Sequence, residues 1–160
     1  MVAVVKPVIQ VRGMRLTDLA AVSTLENLSY EFPWAPGIFS DCVKAGHSCW
    51  VLCVGEVIAG YGILSTGAGE AHLLNLCIGP DHRGRGLGRY LLERLLEIAK
   101  WNRAERVFLE VRPSNPLAKT LYESVDFKSI GTRPRYYPAR DGREDAIVMV
   151  LEVPAGKPGR

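Results

Sequence analysis

The spacing of apolar and polar residues predicts an alternation of strands and helices in the middle of the chain. A continuous apolar run at 71–78 predicts a strand that is covered on both faces and is therefore central. Leu87–Trp101 follows with a wide apolar stripe opposite a row of charged residues, which predicts a helix that packs on the sheet. A strand at 106–112 comes next. A further helix starts at Asn115-Pro116, a favoured N-cap followed by a favoured first helical residue, and ends near Val125.

Shorter elements are predicted on both sides of this region. Helices are expected at 17–30, with Thr17 as N-cap, and at 37–44, after a break at 31–36. The remaining strands are predicted at 8–12, 48–54, 57–64, 128–137 and 146–153. Gly55-Glu56 suits a tight type II′ hairpin, whereas 65–69 and the polar segment between the last two strands are expected to be loops. The pattern predicts one domain over 1–153 and a frayed tail at 154–160.

Composition narrows the class of protein without deciding it. With 160 residues, of which 48% are hydrophobic, the chain is long enough to form one core without metals or disulfides. A formal net charge of +3 is too small to indicate a nucleic-acid-binding protein. No apolar run approaches the ~20 residues that cross a bilayer, and the start of the chain, broken by Lys6 and Pro7, does not resemble a signal peptide. We therefore expect a cytoplasmic protein with no membrane partner.

The cysteines and histidines show no metal-binding pattern. Cys42, Cys49, Cys53 and Cys77 contain no Cys-x-x-Cys pair, and the three histidines are scattered along the chain. In a reducing compartment such cysteines are most simply small, buried apolar residues. No metal is predicted.

The most informative segment is a glycine-rich loop between the central strand and the long helix. Arg83, Arg85 and Arg89 cluster there at a predicted helix N-terminus, where free N–H groups and the helix dipole attract phosphate. The glycines do not fit the Gly-x-Gly-x-x-Gly spacing of dinucleotide-binding loops, and a Walker loop would need Lys and a hydroxyl residue where the chain has Arg and Gly. What remains is Arg-x-x-Gly-x-Gly at 83–88. On charge alone, a solvated helix start is the alternative.

Two residues on the following elements have side chains suited to acid–base chemistry. The two-residue period of the strand at 106–112 places Glu110 opposite the apolar face, where partial desolvation would favour a general base. The alternative is a solvated carboxylate or one paired with Arg112. Tyr122 lies seven residues after Asn115, on the same helix face, and its phenol can give a proton to a leaving group. The alternative for Tyr122 is that its ring only packs against neighbouring helix residues. The Asn115 side chain could cap the helix, bind a ligand or do both.

These segments together resemble consecutive motifs of the GNAT superfamily of N-acetyltransferases. The glycine-rich loop resembles the pyrophosphate loop of that superfamily. The other matching segments are Asn75-Leu-Cys-Ile, Leu109-Glu-Val-Arg-Pro-Ser-Asn115 and Leu121-Tyr-Glu-Ser124. Phe32-Pro-Trp34 and residues 136–147 are similar to the RimI branch, the ribosomal-protein-alanine N-acetyltransferases. The resemblance implies the α/β (α+β) GNAT fold, with a mixed, mostly antiparallel sheet of about six to seven strands and about four flanking helices.

The resemblance also implies an activity and the residues that perform it. The activity is transfer of the acetyl group of acetyl-CoA to the N-terminal alanine of a small-subunit ribosomal protein, by direct amine attack and without contact to nucleic acid. Glu110 would be the general base and Tyr122 the general acid. Cofactor-binding roles would fall to Leu76, Cys77, Ile78, Arg83, Gly84, Arg85, Gly86, Leu87, Gly88 and Asn115. Peptide-binding roles would fall to Phe32, Trp34, Tyr136 and Tyr137.

Acetyl transfer also needs a hydrogen-bond donor for the tetrahedral oxyanion. If the strand at 71–78 diverges from 107–111 near its C-terminal end, the N–H groups at 76–78 become free to donate. Cys77 raises a covalent acetyl-cysteine as a rival mechanism. No adjacent His and acid activate it, so a packed core thiol is the favoured interpretation.

Two further expectations concern charge and a turn. The carboxylates of Glu31, Asp141, Glu144 and Asp145 are either available for a basic ribosomal tail or ordinary solvated charge. Asp126 stands where the superfamily often has the glycine of a left-handed C-terminal turn, so the end of that helix is left open.

Three other functions remain open from the sequence. One is an acetyltransferase of the same superfamily whose acceptor is lysine, a polyamine or an antibiotic amine. Another is a non-catalytic acyl-CoA sensor, which would not need Glu110 and Tyr122 together. The last is a structural module bound to the ribosome, which would not bind acetyl-CoA.

Overall fold

The computed structural model describes residues 5–154, in which seven strands form one sheet with four α-helices packed on its faces. The strands are β1 (Ile9–Gly13), β2 (Ser48–Val54), β3 (Val57–Gly67), β4 (Glu70–Ile78), β5 (Arg106–Val111), β6 (Lys128–Ala139) and β7 (Gly142–Glu152). The helices are α1 (Leu19–Ser29), α2 (Pro36–Lys44), α3 (Leu87–Trp101) and α4 (Pro116–Ser124). Of the predicted tail at 154–160, residues 155–160 lie outside the described part of the chain.

The sheet is mixed and mostly antiparallel, as expected. Its strand order is β1-β2-β3-β4-β5-β7-β6, and β4–β5 is the parallel pair among these neighbours. The connection between β4 and β5 runs through α3, which is the helical crossover that a parallel pair requires. β4 therefore occupies the centre of the sheet, in agreement with its continuous apolar sequence.

Two apolar clusters cover the two faces of the sheet. On one face α3 contributes Leu91, Leu92 and Leu95, which are fully buried. A Cβ on Gly62 of β3 would lie 2.4 Å from the Leu95 side chain, so this close packing of α3 requires glycine. On the other face Phe39 of α2 packs among apolar residues from α1 and the strands. The four cysteines are buried free thiols, as predicted.

β4 contains a one-residue bulge at Leu74. Ile63 of β3 pairs with Asn75 while the next residue, Leu64, pairs with Leu73, so Leu74 is an extra residue on β4. Pairing of β4 with β5 extends only from Glu70 to Leu73. Because a bulge bends its strand and increases the local twist, the second half of β4 leaves β5. We name the opening between 74–78 of β4 and 110–111 of β5 the sheet gap.

The predicted N-cap of the first helix is wrong. Thr17 lies inside a 3-10 turn, Leu16–Asp18, and α1 begins after it. Asp18 stabilises this entry instead, because its carboxylate accepts the Arg15 N–H at 2.8 Å and binds the Arg12 guanidinium at 2.7 Å. The hydrogen bond from Arg12 and that from the Arg15 main chain hold the pKa of Asp18 below its ordinary value against the opposing effect of burial.

Two predicted loops are strand in the structure. In the predicted loop 65–69, β3 continues to Gly67 and β4 begins at Glu70. Only Ala68-Gly69 is left as the turn, with φ of +53° and +79°. β6 and β7 likewise extend through the polar segment and leave Arg140-Asp141 as the turn. Polar, exposed hairpin ends do not alternate with apolar residues, so the two-residue period could not reveal them. The Gly55-Glu56 hairpin is confirmed, with a φ of +61° at Gly55.

The turn after α4 is left-handed although it lacks glycine. Asp126 has a φ of +76°, and the Phe127 N–H donates to the Tyr122 carbonyl at 3.1 Å. This arrangement closes the helix at Ser124 and places Phe127 in the core against the Tyr122 ring. An L-residue in this conformation is strained, and a carboxylate at a helix C-terminus faces the negative end of the dipole.

We expect Asp126→Gly to stabilise the protein, because it removes both the backbone strain and the unfavourable charge. The gain should be about 1 kcal/mol, or roughly 2–4 °C in the unfolding midpoint. Thermal unfolding followed by circular dichroism measures it. Asp126→Ala is the matched control, since it removes the charge but keeps the strain. An Asp126→Gly variant less stable than Asp126→Ala would contradict the strained turn.

Candidate active site

A cavity of about 690 Å³ opens at the sheet gap. Its walls come from the segment between α1 and α2, from β4 and β5 where they part, and from α4 and β6. Tyr122 belongs to the apolar cluster on the α3 face, whereas Trp34 packs against the cluster on the α2 face. Both side chains line the same cavity, so the sheet gap connects the two faces of the sheet.

Glu110 projects from β5 on the side opposite the apolar residues, as the strand period predicts. Its neighbours Leu109 and Val111 are buried in the core, and the Glu110 side chain itself is only 7% exposed. The Glu110 carboxylate contacts the His72 imidazole and lies 3.3 Å from the Arg133 guanidinium. The ion pair considered from the sequence, with Arg112, is not the one that forms.

α4 brings Asn115 and Tyr122 to the same cavity, as their spacing predicts. The Asn115 side chain accepts the Ala118 N–H at 3.3 Å, so it caps the helix while it lines the cavity. Burial raises the pKa of Tyr122 to about 12. The phenol is therefore protonated at neutral pH and can act as a proton donor.

A buried carboxylate on α1 fixes the wall on the α2 face. Glu26 is 2% exposed and accepts three hydrogen bonds, from the Tyr61 hydroxyl at 2.6 Å, the Asn75 amide at 2.9 Å and the Trp34 N–H at 2.8 Å. These bonds join α1, β3, β4 and the segment before α2. Near by, the Tyr30 hydroxyl donates to the Leu76 carbonyl at 2.8 Å, on the part of β4 that has left β5. Burial raises the pKa of Tyr30 well above its ordinary value, so this donor stays protonated.

Arg112 joins the two segments that border the cavity on its outer side. Its guanidinium lies 4.3 Å from the Tyr137 ring centre and 5.6 Å from that of Phe32, and it donates to the Pro138 carbonyl at 2.8 Å. Phe32 belongs to the segment between α1 and α2, and Tyr137 belongs to β6. A cation between two aromatic faces attracts both. We name this three-residue arrangement the Arg112 clamp.

A bulge in β6 brings Tyr137 to the clamp. Pairing with β7 jumps between Arg133 and Tyr137, and Arg135 adopts a left-handed φ of +53°. Arg143 of β7 holds this bulge by donating to the carbonyls of Arg135, at 2.7 Å, and Tyr136, at 2.8 Å. Burial raises the pKa of Tyr137, and the nearby charge of Glu110 raises it further.

The predicted acidic residues are mostly engaged within the chain. Glu31 pairs with Arg140, Glu144 accepts from Arg112 and Ser114, and Asp145 accepts the Arg135 N–H at 2.8 Å. The hypothesis that these carboxylates await a basic ribosomal tail is therefore not supported by their contacts.

The glycine-rich loop lies beside the cavity, at the start of α3. Gly84 and Gly86 each have a φ of +76°, a conformation that bends the chain into a tight loop around the helix N-terminus. A Cβ on Gly88 would approach Leu121 of α4 to 3.6 Å and Ile78 of β4 to 3.7 Å, so the loop adjoins the end of the sheet gap. The first-turn N–H groups of α3 have no acceptor within the helix, which fits a diphosphate.

The arginines of this loop differ in what they contact. Arg83 donates to the Ile78 carbonyl at 2.9 Å and so closes the loop onto β4. Arg89 forms an exposed ion pair with Glu93. The fit of a diphosphate therefore rests first on the main-chain conformation and on Arg85, which is exposed.

The cavity brings together predicted site residues from five parts of the chain. Those that line it are Phe32, Trp34, Leu76, Glu110, Asn115, Tyr122 and Tyr137. Tyr136 is 42% exposed and packs edge-on against Tyr137 instead. The Cys77 side chain is buried in the cluster on the α2 face, which argues against a nucleophile, and Ile78 packs into the cluster on the α3 face.

Sequence reasoning did not find Glu26, His72 or the Arg112 clamp. For Glu26 a signal existed, since a carboxylate four residues after Val22 occupies an apolar position of the α1 pattern. His72 and Arg112 act through residues distant in sequence, and no local pattern marks them.

Two further findings concern residues 5–154. No group of three or more His, Cys, Asp or Glu side chains in this range is arranged to hold a metal ion. In the same range no helix has the length and apolarity needed to span a membrane.

Comparison with known proteins places the chain in a family. Residues 15–127 match the family model described as the acetyltransferase (GNAT) family. The [ribosomal protein bS18]-alanine N-acetyltransferase of Escherichia coli K12 is 36% identical over 143 residues, which are 89% of this chain and 97% of that protein. The enzyme of the same name from Salmonella typhimurium is 36% identical over 137 residues, or 86% and 93% of the two chains.

The fold agrees with a solved structure of the same enzyme. The crystal structure of the ribosomal-protein-S18-alanine N-acetyltransferase from Escherichia coli superposes with a TM-score of 0.85 at 35% identity, over 91% of this chain and 94% of that one. The sheet with its gap, the phosphate-binding type of loop and the family match agree, and the chain therefore belongs to the GNAT family of acetyltransferases.

Proposed function

We propose that the protein transfers the acetyl group of acetyl-CoA to the N-terminal alanine of ribosomal protein bS18, the reaction for which its Escherichia coli and Salmonella relatives are named. The observation that carries the proposal is the sheet gap. It joins a loop suited to a diphosphate to a cavity that holds a buried carboxylate, Glu110, and a protonated phenol, Tyr122.

The reaction uses these two groups in turn. Glu110, directly or through a water molecule, takes a proton from the α-ammonium group, and the neutral amine attacks the thioester carbon. The N–H of Leu76, on the part of β4 that has left β5, is the candidate donor to the oxyanion. When the carbon–sulfur bond breaks, the thiolate takes the proton of Tyr122. The second proton that the attacking nitrogen loses returns to the Tyr122 oxygen, directly or through a water molecule. No covalent enzyme intermediate is needed.

An α-amino acceptor suits this site better than a lysine side chain. The reference pKa is near 7.7–8 for an α-amino group and near 10.4 for lysine, so an α-amine needs less help to lose its proton. The Arg112 clamp also borders the cavity with Phe32 and Tyr137, two aromatic rings that can pack against the first residues of a peptide.

We expect the protein to acetylate a peptide with a free N-terminal alanine. The test uses acetyl-CoA and a peptide that begins with the bS18 N-terminal sequence. The peptide also carries one lysine after its first residue, so that both kinds of amine are offered. A peptide of the same sequence with a blocked N-terminus is the control, and mass spectrometry locates the acetyl group. Modification of the lysine alone, in both peptides, would instead favour the lysine-acceptor function.

Glu110→Gln should lower kcat near pH 7 by about 100-fold, because it removes the base. The loss should shrink as the pH rises past 8 and the amine loses its proton unaided.

Tyr122→Phe should lower kcat by about tenfold or more across this range. Since the pKa of Tyr122 is about 12, deprotonation of its phenol should not reduce wild-type activity below about pH 11.

Steady-state kinetics from pH 6 to 10 measure these effects. Tyr90→Phe is the matched control for Tyr122→Phe, since Tyr90 lies on α3 against Arg94, away from the cavity. A Glu110→Gln variant with an unchanged pH profile would rule out the base.

Trp34→Ala should raise the KM for the peptide by about tenfold and leave the KM for acetyl-CoA within about twofold, because Trp34 lines the cavity on the α2 face. Phe32→Ala should behave in the same way, since it also releases the Arg112 clamp. Trp101→Ala is the control, because Trp101 is 87% exposed at the end of α3. Equal changes in both KM values would argue against a peptide-binding wall.

A further inference from the structure

Glu110 has a hydrogen-bond partner that the proposed reaction does not use. His72 lies on β4, paired in register with Phe108 of β5, one residue before the pairing of these strands ends. Its Nε2 is hydrogen-bonded to Oε2 of Glu110. The last rungs of the parallel ladder thus hold the imidazole against the carboxylate at the edge of the sheet gap.

The two partners of Glu110 hold different oxygens of its carboxylate. The Arg133 guanidinium of β6 approaches Oε1 at 3.3 Å. His72 approaches Oε2, to which its ring can donate an N–H. Tyr137 of β6 also faces the carboxylate and is neutral, while Ser65 of β3 and Phe108 of β5 flank His72 and carry no charge.

His72 reaches the shielded carboxylate from its exposed side. The His72 side chain is 32% exposed, whereas that of Glu110 is 7% exposed. The imidazole can donate one N–H to Oε2 while Arg133 holds Oε1, so both oxygens of the carboxylate are fixed.

We propose that His72 is a positioning residue for Glu110. The inference rests on the proposed function of Glu110 as the base. His72 orients the carboxylate toward the sheet gap through the hydrogen bond between its Nε2 and Oε2 of Glu110. The proton that Glu110 takes up leaves to water, and none has to pass through His72.

Two substitutions test the orientation of the carboxylate by His72. His72→Gln keeps an N–H donor, and His72→Leu removes the donor at similar volume. We expect His72→Leu to lower kcat by about tenfold at pH 8 with both KM values within about twofold, because the base loses a charge-assisted hydrogen bond. His72→Gln should restore most of this kcat at pH 8.

The split between kcat and KM gives a readout that a structural role would not change. Loss of the cavity shape would raise the KM values, whereas loss of orientation of the carboxylate lowers kcat alone. A His72→Gln variant with a kcat as low as that of His72→Leu at pH 8 would overturn the proposal.

The double variant tests whether His72 acts through Glu110. If it does, adding His72→Leu to Glu110→Gln should cause no further loss of kcat. An equal tenfold loss in both backgrounds would overturn the inference while leaving Glu110 as the base. Should Glu110→Gln itself retain full activity, the proposed base would fall, and this inference with it. If His72→Leu does not fold, His72→Ala replaces it in the same comparisons with His72→Gln and Glu110→Gln.

Discussion

The end of the pairing between β4 and β5 is the constraint on which the site depends. Four rungs join the two strands, and then the extra residue at Leu74 turns β4 away. Backbone groups that a continuous sheet would use for pairing are left facing the sheet gap. A single inserted residue thus converts part of the sheet into a place where a ligand can approach the main chain.

The remaining parts of the site hold the walls of this opening in place. Glu26 is a carboxylate that has no cationic partner among residues 5–154, and burying such a group is unfavourable unless its oxygens are hydrogen-bonded. Its three donors meet this need, and in doing so they fix Trp34 and Asn75 at defined positions. The network is better understood as a means of fixing the shape of the cavity than as a source of stability.

Short-range signals explain which parts of the molecule the sequence predicts well. The Asn115-Pro116 start of α4, the apolar stripe of α3 and the glycine-rich loop each depend on neighbours within a few residues, and all three are present in the structure. The bulge at Leu74 lies inside a continuous apolar run, where one extra residue does not change the pattern of apolar and polar positions. Its position depends on the register with β3, and so does the divergence from β5.

Side-chain contacts between distant strands could not be predicted either, because they also depend on strand register. His72 and Glu110 are 38 residues apart, and only the four-rung ladder brings them together. The strand period gave the correct face for Glu110 but not its partner. Arg112 was considered as that partner, yet in the structure it turns to Tyr137 and Phe32, because the bulge in β6 moves an aromatic ring within its reach.

The bulge in β6 has a consequence for the edge of the sheet. β6 is one of the two edge strands, and a long exposed strand of this kind can recruit a strand from another molecule. The interruption between Arg133 and Tyr137, with Pro134 inside it, breaks the regular row of main-chain donors and acceptors along that edge. The irregularity that brings an aromatic ring to the cavity thereby also makes this edge a poorer template for pairing with another molecule.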